Sequence, residues 1–288
     1  MRVRKAVLPV AGFGTRFLPA TKSSSKEMLP LVDKPLIHYA VEDAINAGIN
    51  QIIFITGRGK RAIEDYFDIS FELEYHLKMQ GKEELLKQMR EISEMADFVY
   101  VRQKEPKGLG HAVLRAKDVV GDEPFAVILA DDVIENSKSG TKQLLDVFER
   151  YHCSVIGLEE VNPDEVSNYG IVSGVEIEKG VYKLDNFVEK PKKEEAPSNL
   201  AIIGRYIFTP SIFRELERTQ AGAKGEIQLT DAIASLSRKE VIYGKLLEGK
   251  RFDCGNKLGF LKATVEFALH DENLKTDFEK YLKEVVKC

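Results

Sequence analysis

A glycine-containing loop near the start of the chain has the residue types that bind phosphate groups. Residues 11–30 read AGFGTRFLPATKSSSKEMLP and follow a short apolar run. Gly12 and Gly14 allow the main chain to approach a ligand closely, and Thr15 adds a hydroxyl group. Four basic side chains lie in or just after the loop: Arg16, Lys22, Lys26 and Lys34. Main-chain N–H groups with such cations favour a polyphosphate site, whereas a tight turn with a solvated basic rim is the alternative.

Two common glycine motifs do not account for this loop. A P-loop requires GxxxxGK followed by Ser or Thr, and no such string occurs in the chain. A dinucleotide fingerprint requires GxGxxG that opens directly into a helix. Here Gly14 is followed by TRFLP, which contains Pro19 and no third glycine. The loop is therefore neither of these motifs.

Aspartates at the ends of predicted strands are candidates for holding a metal ion. Asp131 and Asp132 follow the apolar run FAVILA, and Asp253 lies in RFDCGN. Successive residues of an extended chain point to opposite sides, so one of the two adjacent aspartates is expected to face a ligand. A carboxylate there can hold Mg²⁺ against a triphosphate, although a polar strand end or a helix cap gives the same pattern. Asp253 on its own is a weaker candidate for a metal ligand, because an aspartate before a turn usually has a structural role.

Three further segments contain polar or glycine residues that suit ligand binding. VEKP places Glu189 and Lys190 at a predicted strand end, where Glu can accept sugar hydroxyl groups and Lys can meet a phosphate. A surface ion pair is the alternative. Gly108 and Gly110 open a predicted helix, whose first amides can bind an anion or the edge of a base. The basic turn GRGK, residues 57–60, is interpreted as structural.

The composition limits the classes of function. The chain has 288 residues, and its 42 basic and 46 acidic side chains give a net charge of −4. This balance argues against a nucleic-acid or other general polyanion binder, so a phosphate site must be local. Cys153, Cys254 and Cys288 form no CxxC pair, which suits a reducing compartment and gives no zinc signature. No stretch reaches the roughly 20 apolar residues of a membrane helix, and we expect a cytoplasmic protein.

The order of predicted elements indicates an α/β fold. Strands and helices alternate over about residues 1–160, from the buried strand KAVLPV to CSVIGLEEV. The helix in VDKPLIHYAVEDAINAGI is predicted to have Asp33 as its cap and Pro35 in its first turn. A β-hairpin with the turn EKG follows, then a strand, further helices, a last strand, and helices to about Val286. The carboxyl ends of the core strands, after Val10, Thr56, Gln103 and Ala130, are where such sheets bind ligands.

With these residues gathered, the sequence resembles the sugar nucleotidyltransferase family. Seven segments carry the resemblance in order: AGFGTRFLPATKSSSKEMLPLVDKP, FITGRGKRAIEDYF, RQKEPKGLGHAV, NYGIV, VEKP, GEIQLTDAI and FDCGNKLGFLKA. They span nearly the whole chain. TGRGKRAIEDYF and GLGHAV point to the uridylyl branch of the family and away from its thymidylyl and adenylyl branches.

The resemblance implies a fold and a division of the chain. The fold is a Rossmann-like nucleotidyltransferase fold, with a mainly parallel central mixed sheet flanked by helices, a β-hairpin and a C-terminal helical elaboration. The chain is one domain, with about 1–160 binding nucleotide, about 161–255 binding sugar and about 256–288 forming C-terminal helices. A homodimer or homotetramer is also implied.

The resemblance further implies roles for individual residues. The residues implied to bind nucleotide are Ala11, Gly12, Gly14, Thr15, Glu27, Gln103 and Gly108. The residues implied to bind sugar are Gly170, Glu189 and Gly204. Arg16, Lys26, Lys190 and Asp131 are implied to be catalytic, and Asp131 and Asp253 to hold Mg²⁺. Two positions depart from the family pattern: Ser25 stands where proline is usual, and Asp132 stands where a hydrophobic residue is frequent.

The implied reaction is the transfer of UMP from UTP to glucose 1-phosphate, which gives UDP-glucose and pyrophosphate. Both reactants are anions, so cations and positioning are expected to dominate, and an ionised phosphate needs no general base. Three alternatives remain at this point. They are a preference for another nucleotide such as dTTP, a glycosyltransferase that uses a nucleotide sugar, and a regulatory relative that binds nucleotide sugar with little turnover.

Overall fold

The computed structural model describes residues 2–222 and 225–286. The strands are β1 Lys5–Pro9, β2 Pro30–Leu31, β3 Lys34–Pro35, β4 Gln51–Thr56, β5 Asp97–Arg102, β6 Phe125–Ile128, β7 Asp132–Glu135, β8 Val155–Glu160, β9 Gly170–Glu178, β10 Val181–Glu189, β11 Leu200–Phe208, β12 Ile242–Leu246 and β13 Lys250–Asp253. The helices are α1 Leu36–Asn46, α2 Arg61–Phe67, α3 Phe71–Met79, α4 Glu83–Ser93, α5 Leu109–Leu114, α6 Lys117–Val120, α7 Gly140–Tyr151, α8 Ser211–Arg218, α9 Leu229–Ser237, α10 Lys257–His270 and α11 Lys275–Val286. Short 3₁₀ turns cover Thr15–Phe17, Ala20–Lys22, Lys26–Met28, Pro163–Asn168 and Lys193–Glu195.

Nine of these strands form one central sheet, in the order β5-β4-β1-β6-β11-β8-β12-β10-β9. The four strands from β5 to β6 are parallel, as is the pair β8 and β12, whereas β11 and β10 run against their neighbours. Seven of the nine strands in the described part of the chain therefore share one direction. The Rossmann-like α/β prediction with a mixed sheet, a hairpin β9–β10 and C-terminal helices is confirmed.

Helices cover both faces of the sheet because its strands are apolar on both sides. β11 is buried at all nine positions, and β6 at all four. One hydrophobic cluster joins the sheet to α1, α2 and α7, and a second joins it to α5, α8 and α9. Burial on both faces explains why these strands read as continuous apolar runs. The sheet edge that carries the strand ends is left for polar loops.

Three local predictions need correction. Asp33 does not cap α1, because Lys34 and Pro35 are extended in β3 and Pro35 takes the cap position without a side-chain hydrogen bond. The predicted helix that Gly108 and Gly110 open does not continue through GHAVLRAKDVV as one element, because this segment forms two helices, α5 and α6. The segment after FAVILA is not only a loop, since β7 pairs antiparallel with β13 and brings Asp132 opposite Asp253.

Two other sequence features can be located. Cys153 and Cys254 are free thiols in the structure, and Cys288 lies outside the described residues. In the described ranges, none of the helices combines the length and apolar character needed to cross a membrane. The division of the chain into nucleotide and sugar parts remains a prediction.

Candidate active site

The first loop begins where β1 ends, at the edge of the sheet that also carries the ends of β5 and β6. Gly14 has a left-handed main chain with φ of 64°, which favours glycine. A side chain there would also be crowded, because a Cβ atom would lie 3.1 Å from the Cβ of Lys26. Thr21 Oγ1 donates a hydrogen bond of 2.7 Å to the Gly14 carbonyl oxygen and closes the loop on itself. The loop is thus folded so that Lys26 returns to the strand end.

Two adjoining cavities lie along this edge. The loop cavity, of about 520 Å³, is lined by the first loop, the segment after β5 and the segment after β6. The strand cavity, of about 320 Å³, is lined by the start of β9, the end of β10, the middle of β11 and the start of α9. Arg16 and Asp131 line both cavities, so the two form one cleft. A larger cavity of about 580 Å³ lies apart from this cleft, beside α1, and contains none of the predicted site residues.

All of the residues to which the resemblance assigns a role line this cleft. The residues that line the loop cavity include Ala11, Gly12, Gly14, Thr15, Arg16, Lys26, Glu27, Gln103, Gly108 and Asp131. The strand cavity takes Gly170, Glu189, Lys190, Gly204 and Asp253, and again Arg16 and Asp131. The structure therefore brings together residues separated by more than 200 positions in the chain, while their individual roles remain predictions.

Two of the four cations of the first loop do not line the cleft. Lys34 Nζ lies 2.9 Å from Glu42 Oε1 and contributes to a different cavity, beside α2 and α4. Lys22 is exposed and lies on neither wall of the cleft. The sequence argument counted both toward a triphosphate site. In the structure, the positive charge that the first loop brings to the cleft comes from Arg16 and Lys26.

Lys26 and Asp131 form an ion pair at the junction of the two cavities. Lys26 Nζ donates a hydrogen bond of 2.7 Å to Asp131 Oδ2, and each side chain is about one quarter exposed. Burial opposes ionisation of Asp131, but Lys26 and Arg16 outweigh it and hold the pKa of this carboxyl below its ordinary value. Burial also opposes the charge on Lys26, and Asp131 with Glu27 still raises its pKa. Both groups are therefore charged at neutral pH.

Asp131 and Asp253 converge on one small space beside Gly255. A Cβ atom added to Gly255 would lie 2.8 Å from Asp131 Oδ2 and 2.9 Å from Asp253 Oδ1. The Gly255 carbonyl oxygen accepts a hydrogen bond of 3.3 Å from Arg16 Nη1, so Arg16 borders the same space. Mg²⁺ is usually held by one or two carboxylates together with substrate phosphates. This donor set of hard oxygen atoms, kept open by a glycine, fits Mg²⁺.

Glu27 lies in the wall of the loop cavity and is almost completely buried. Its side chain is 2% exposed, and Lys60 Nζ, on a side chain 6% exposed, lies 2.7 Å from Glu27 Oε2. Ser25 donates a short hydrogen bond to the same carboxylate and accepts one of 3.0 Å from Lys60. The structural interpretation of the GRGK turn is therefore supported, since its lysine anchors the first loop. Ser25, which stands where proline is usual in the family, takes part in this anchor through both hydrogen bonds.

Gln103 and Gly108 lie together at the far end of the loop cavity. Gln103 is 6% exposed, and its Nε2 donates a hydrogen bond of 3.2 Å to the Gly108 carbonyl oxygen. Gly108 has φ of 92°, and a Cβ atom there would lie 2.8 Å from the carbonyl oxygen of Ile227. Only glycine fits this position, where the main chain starts α5 against the segment before α9.

The acidic and the basic residue of VEKP, Glu189 and Lys190, both line the strand cavity. Glu189 Oε2 accepts a hydrogen bond of 2.7 Å from Thr230 Oγ1, which orients the carboxylate. The Lys190 side chain is 57% exposed, and its Nζ lies 3.3 Å from Glu189 Oε1. The main chain of Lys190 is left-handed, with φ of 46°, and its N–H donates to the Tyr169 carbonyl oxygen. Gly170 leaves room beside Glu189, because a Cβ atom there would lie 3.2 Å from Glu189 Oε2.

Sequence reasoning missed the buried charges that hold the Asp131 segment in place. Arg205 is buried in the centre of β11 and donates to the carbonyl oxygens of Leu129, Gly204 and Asp132. Its Nε also lies 3.0 Å from Asp43 Oδ2 on α1. A lone arginine inside the apolar strand LAIIGRYIF was the available signal, because a buried charge must be paired.

The second aspartate of the DD pair is part of this support. Asp132 Oδ2 accepts a hydrogen bond of 2.8 Å from the Gly204 main chain, and Asp132 Oδ1 accepts one of 2.6 Å from Arg251 Nε. Arg251 also bonds Glu159 and lies over the ring of Tyr169. Asp132 is thus occupied by protein groups, and it is Asp131 that lies on the junction of the two cavities.

Comparison with known proteins gives the family. A family model described as nucleotidyl transferase matches residues 5–268. The UTP–glucose-1-phosphate uridylyltransferase of Bacillus subtilis (strain 168) is 53% identical over 282 residues, which cover 98% of this chain and 97% of the relative. A solved UDP-glucose pyrophosphorylase complexed with UDP-glucose is 48% identical with a TM-score of 0.87, covering 94% of this chain and 100% of that chain.

A second solved structure agrees over an even larger share of the chain. It is the UTP-bound UGPase from Acinetobacter baumannii, which is 42% identical with a TM-score of 0.91 and covers 98% of this chain and 99% of that chain. The chain therefore belongs to the nucleotidyl transferase family, within which it groups with bacterial UTP–glucose-1-phosphate uridylyltransferases.

Proposed function

We propose that this protein transfers UMP from UTP to glucose 1-phosphate in a Mg²⁺-dependent reaction, giving UDP-glucose and pyrophosphate. The observation that carries the proposal is the single cleft formed by the loop and strand cavities, which meet at Arg16 and Asp131. A reaction between two phosphates needs their binding sites to meet at a point of positive charge. The relatives named above, one of them bound to UDP-glucose and another to UTP, support the same assignment.

The loop cavity is the proposed site of UTP. Its base end is formed by Gln103 and Gly108, with Ala11 and Gly12 beside them and Glu27 in the wall. Gly14, Thr15, Arg16 and Lys26 form the phosphate end. Main-chain N–H groups and two cations suit a triphosphate because they hold several anionic oxygens at once.

The strand cavity is the proposed site of glucose 1-phosphate. Gly170 and Gly204 line this cavity, and Glu189, oriented by Thr230, offers a carboxylate to the hydroxyl groups of the sugar. Lys190 is long, exposed and paired with Glu189 at 3.3 Å. It can therefore turn to a sugar phosphate at little cost.

The reaction we propose is a direct in-line attack of the sugar phosphate on the α-phosphorus of UTP. Arg16 and Lys26 hold the triphosphate and the departing pyrophosphate, and Lys190 steers the attacking phosphate, so these cations offset the repulsion between two anions. The attacking phosphate is already ionised near neutral pH, and no side chain needs to remove a proton. Asp131 and Asp253 would hold Mg²⁺, which supplies positive charge to phosphate oxygens when bound.

The decisive experiment is an assay of the purified protein with UTP, glucose 1-phosphate and Mg²⁺ that follows pyrophosphate and UDP-glucose together. We expect both products in equal amounts, a loss of activity with EDTA, and a faster reaction with UTP than with dTTP or ATP. A glycosyltransferase would instead release UDP from UDP-glucose and form no UTP when given pyrophosphate. A binding protein without turnover would give neither product. Since both substrates are water-soluble anions of central metabolism, we also propose that the protein acts in the cytoplasm.

A further inference from the structure

A histidine next to the cleft fixes the side-chain amide of Gln103. Gln103 Nε2 lies 3.2 Å from the Gly108 carbonyl oxygen and 2.9 Å from Nδ1 of His111. His111 lies on the first turn of α5, three residues after Gly108, within the segment GLGHAV. Gln103 is buried to 6% exposure, so its amide group has few alternative partners.

The hydrogen-bond chemistry leaves one orientation of this amide. The amide atom that faces the Gly108 carbonyl oxygen must be the nitrogen, because a carbonyl oxygen can only accept. An amide nitrogen donates two hydrogen bonds and accepts none, so Nδ1 of His111 must be the acceptor of the second. The imidazole is then neutral and carries its proton on Nε2. Burial, Lys107 and Arg115 lower the pKa of His111 more than Glu105 raises it, in agreement with a neutral ring.

Both N–H groups of Gln103 are therefore used within the protein. The polar atom of the side chain that remains for a ligand is Oε1, which can only accept a hydrogen bond. Gln103 lines the loop cavity, whereas His111 lies behind it and does not line it. The cavity thus presents the acceptor Oε1 at this position. The hydrogen bond from Gln103 Nε2 to His111 fixes the orientation of that acceptor.

We propose that His111 is a positioning residue for base selection, which holds Gln103 as an acceptor and so makes the loop cavity prefer UTP over CTP. The inference rests on the proposed function, because it takes the loop cavity as the site of the nucleotide base. In UTP, N3–H is the single N–H donor of the uracil ring, and it pairs with an acceptor. In the same placement cytosine brings the lone pair of N3 toward Gln103 Oε1, and the base must shift before its N4 amino group can donate there instead. Thymine also carries N3–H, so this arrangement does not separate UTP from dTTP.

The test measures the dissociation constants of UTP, CTP and dTTP by calorimetry for the wild type, His111→Leu and His111→Asn. Leucine removes the acceptor behind Gln103, so the amide can turn an N–H toward the base. We expect the preference for UTP over CTP to fall about tenfold, the size of one mispaired hydrogen bond. Asparagine carries an acceptor oxygen on Cγ, where histidine carries Nδ1, and it should keep the wild-type preference. The ratio of UTP to dTTP affinity should not change in either variant.

These outcomes separate base selection from a general structural role. If His111→Leu weakens the binding of UTP, CTP and dTTP equally, or keeps the wild-type ratio of UTP to CTP affinity, the inference is wrong. If His111→Leu fails to fold, His111→Asn still tests the inference, because a loss of the UTP preference in that folded variant contradicts the acceptor role. Failure of the proposed function would look different, since the wild type itself would then bind UTP without making UDP-glucose.

Discussion

The two cavities of the cleft are built in different ways. In the loop cavity the charged side chains are bonded to one another before any ligand arrives, Lys26 to Asp131 and, behind them, Lys60 to Glu27. In the strand cavity the Lys190 side chain is 57% exposed, and its Nζ lies 3.3 Å from Glu189 Oε1. A buried ion pair is costly to break, whereas an exposed one contributes about 0–1 kcal/mol. In the loop cavity the same segment therefore serves folding and binding, while at Lys190 in the strand cavity the two can be separated.

The largest effect is expected from breaking the buried pair of the loop cavity. Lys60→Met removes the ion-pair partner of the buried Glu27 carboxylate and leaves it the hydrogen bond from Ser25, and such a change lowers the free energy of unfolding by about 3–5 kcal/mol. Urea unfolding followed by circular dichroism measures it. The matched control is Lys190→Met, which removes an exposed lysine and should change the free energy of unfolding by less than about 0.5 kcal/mol. Equal losses in the two variants would contradict the comparison.

The next effect tests the junction of the two cavities. Asp131→Asn removes a charge that lies between Lys26 and the space beside Gly255, and we expect turnover to fall by about 100-fold or more. The measurement is the rate of pyrophosphate release as a function of Mg²⁺ concentration.

The adjacent aspartate gives the contrast for this variant. Asp132→Asn weakens the hydrogen bonds from Arg251 and from the Gly204 main chain, so it should lower stability yet keep the wild-type dependence on Mg²⁺. The opposite result, with Mg²⁺ dependence altered only in Asp132→Asn, would exchange the roles of the two residues.

The contrast between the cavities also explains what could be predicted from sequence. The α/β order and the strand ends were readable because buried strands are apolar runs, and Arg16, Lys26 and Asp131 lie in the segments that follow two of them. The pairing of Lys60 with Glu27 was not readable, since the two residues lie 33 positions apart and meet only when the loops after β1 and β4 fold together. The structural role of Asp132 was not readable for a similar reason, because its partner Arg251 comes from β13, a strand that the sequence did not reveal.

A further prediction concerns whether the strand cavity can be altered without a loss of stability. Lys190→Ala should reduce turnover by about 100-fold, as expected for the loss of one cation that stabilises the reacting phosphate. Because its side chain is exposed and weakly paired, the urea unfolding midpoint should stay at the wild-type value. Steady-state kinetics with both substrates and calorimetry with UTP alone provide the measurement. Weakened UTP binding in this variant would place Lys190 in the loop cavity and remove the distinction between the two.

The smallest effect is expected at Gly12. This position of the loop cavity, like Lys190 in the strand cavity, can be altered with little cost to stability. Apart from its own chain neighbours, no atom of the described residues lies within 4 Å of a Cβ atom added to Gly12. The free energy of unfolding of Gly12→Ala should therefore stay within about 0.5 kcal/mol of the wild-type value. If UTP occupies the loop cavity, the same methyl group meets the nucleotide, and the dissociation constant of UTP should rise about tenfold. Calorimetry with UTP measures this, and glucose 1-phosphate binding in the strand cavity should be unchanged. Unaltered UTP affinity would mean that the nucleotide does not approach the main chain at Gly12, and the predicted role of the glycine would then be wrong.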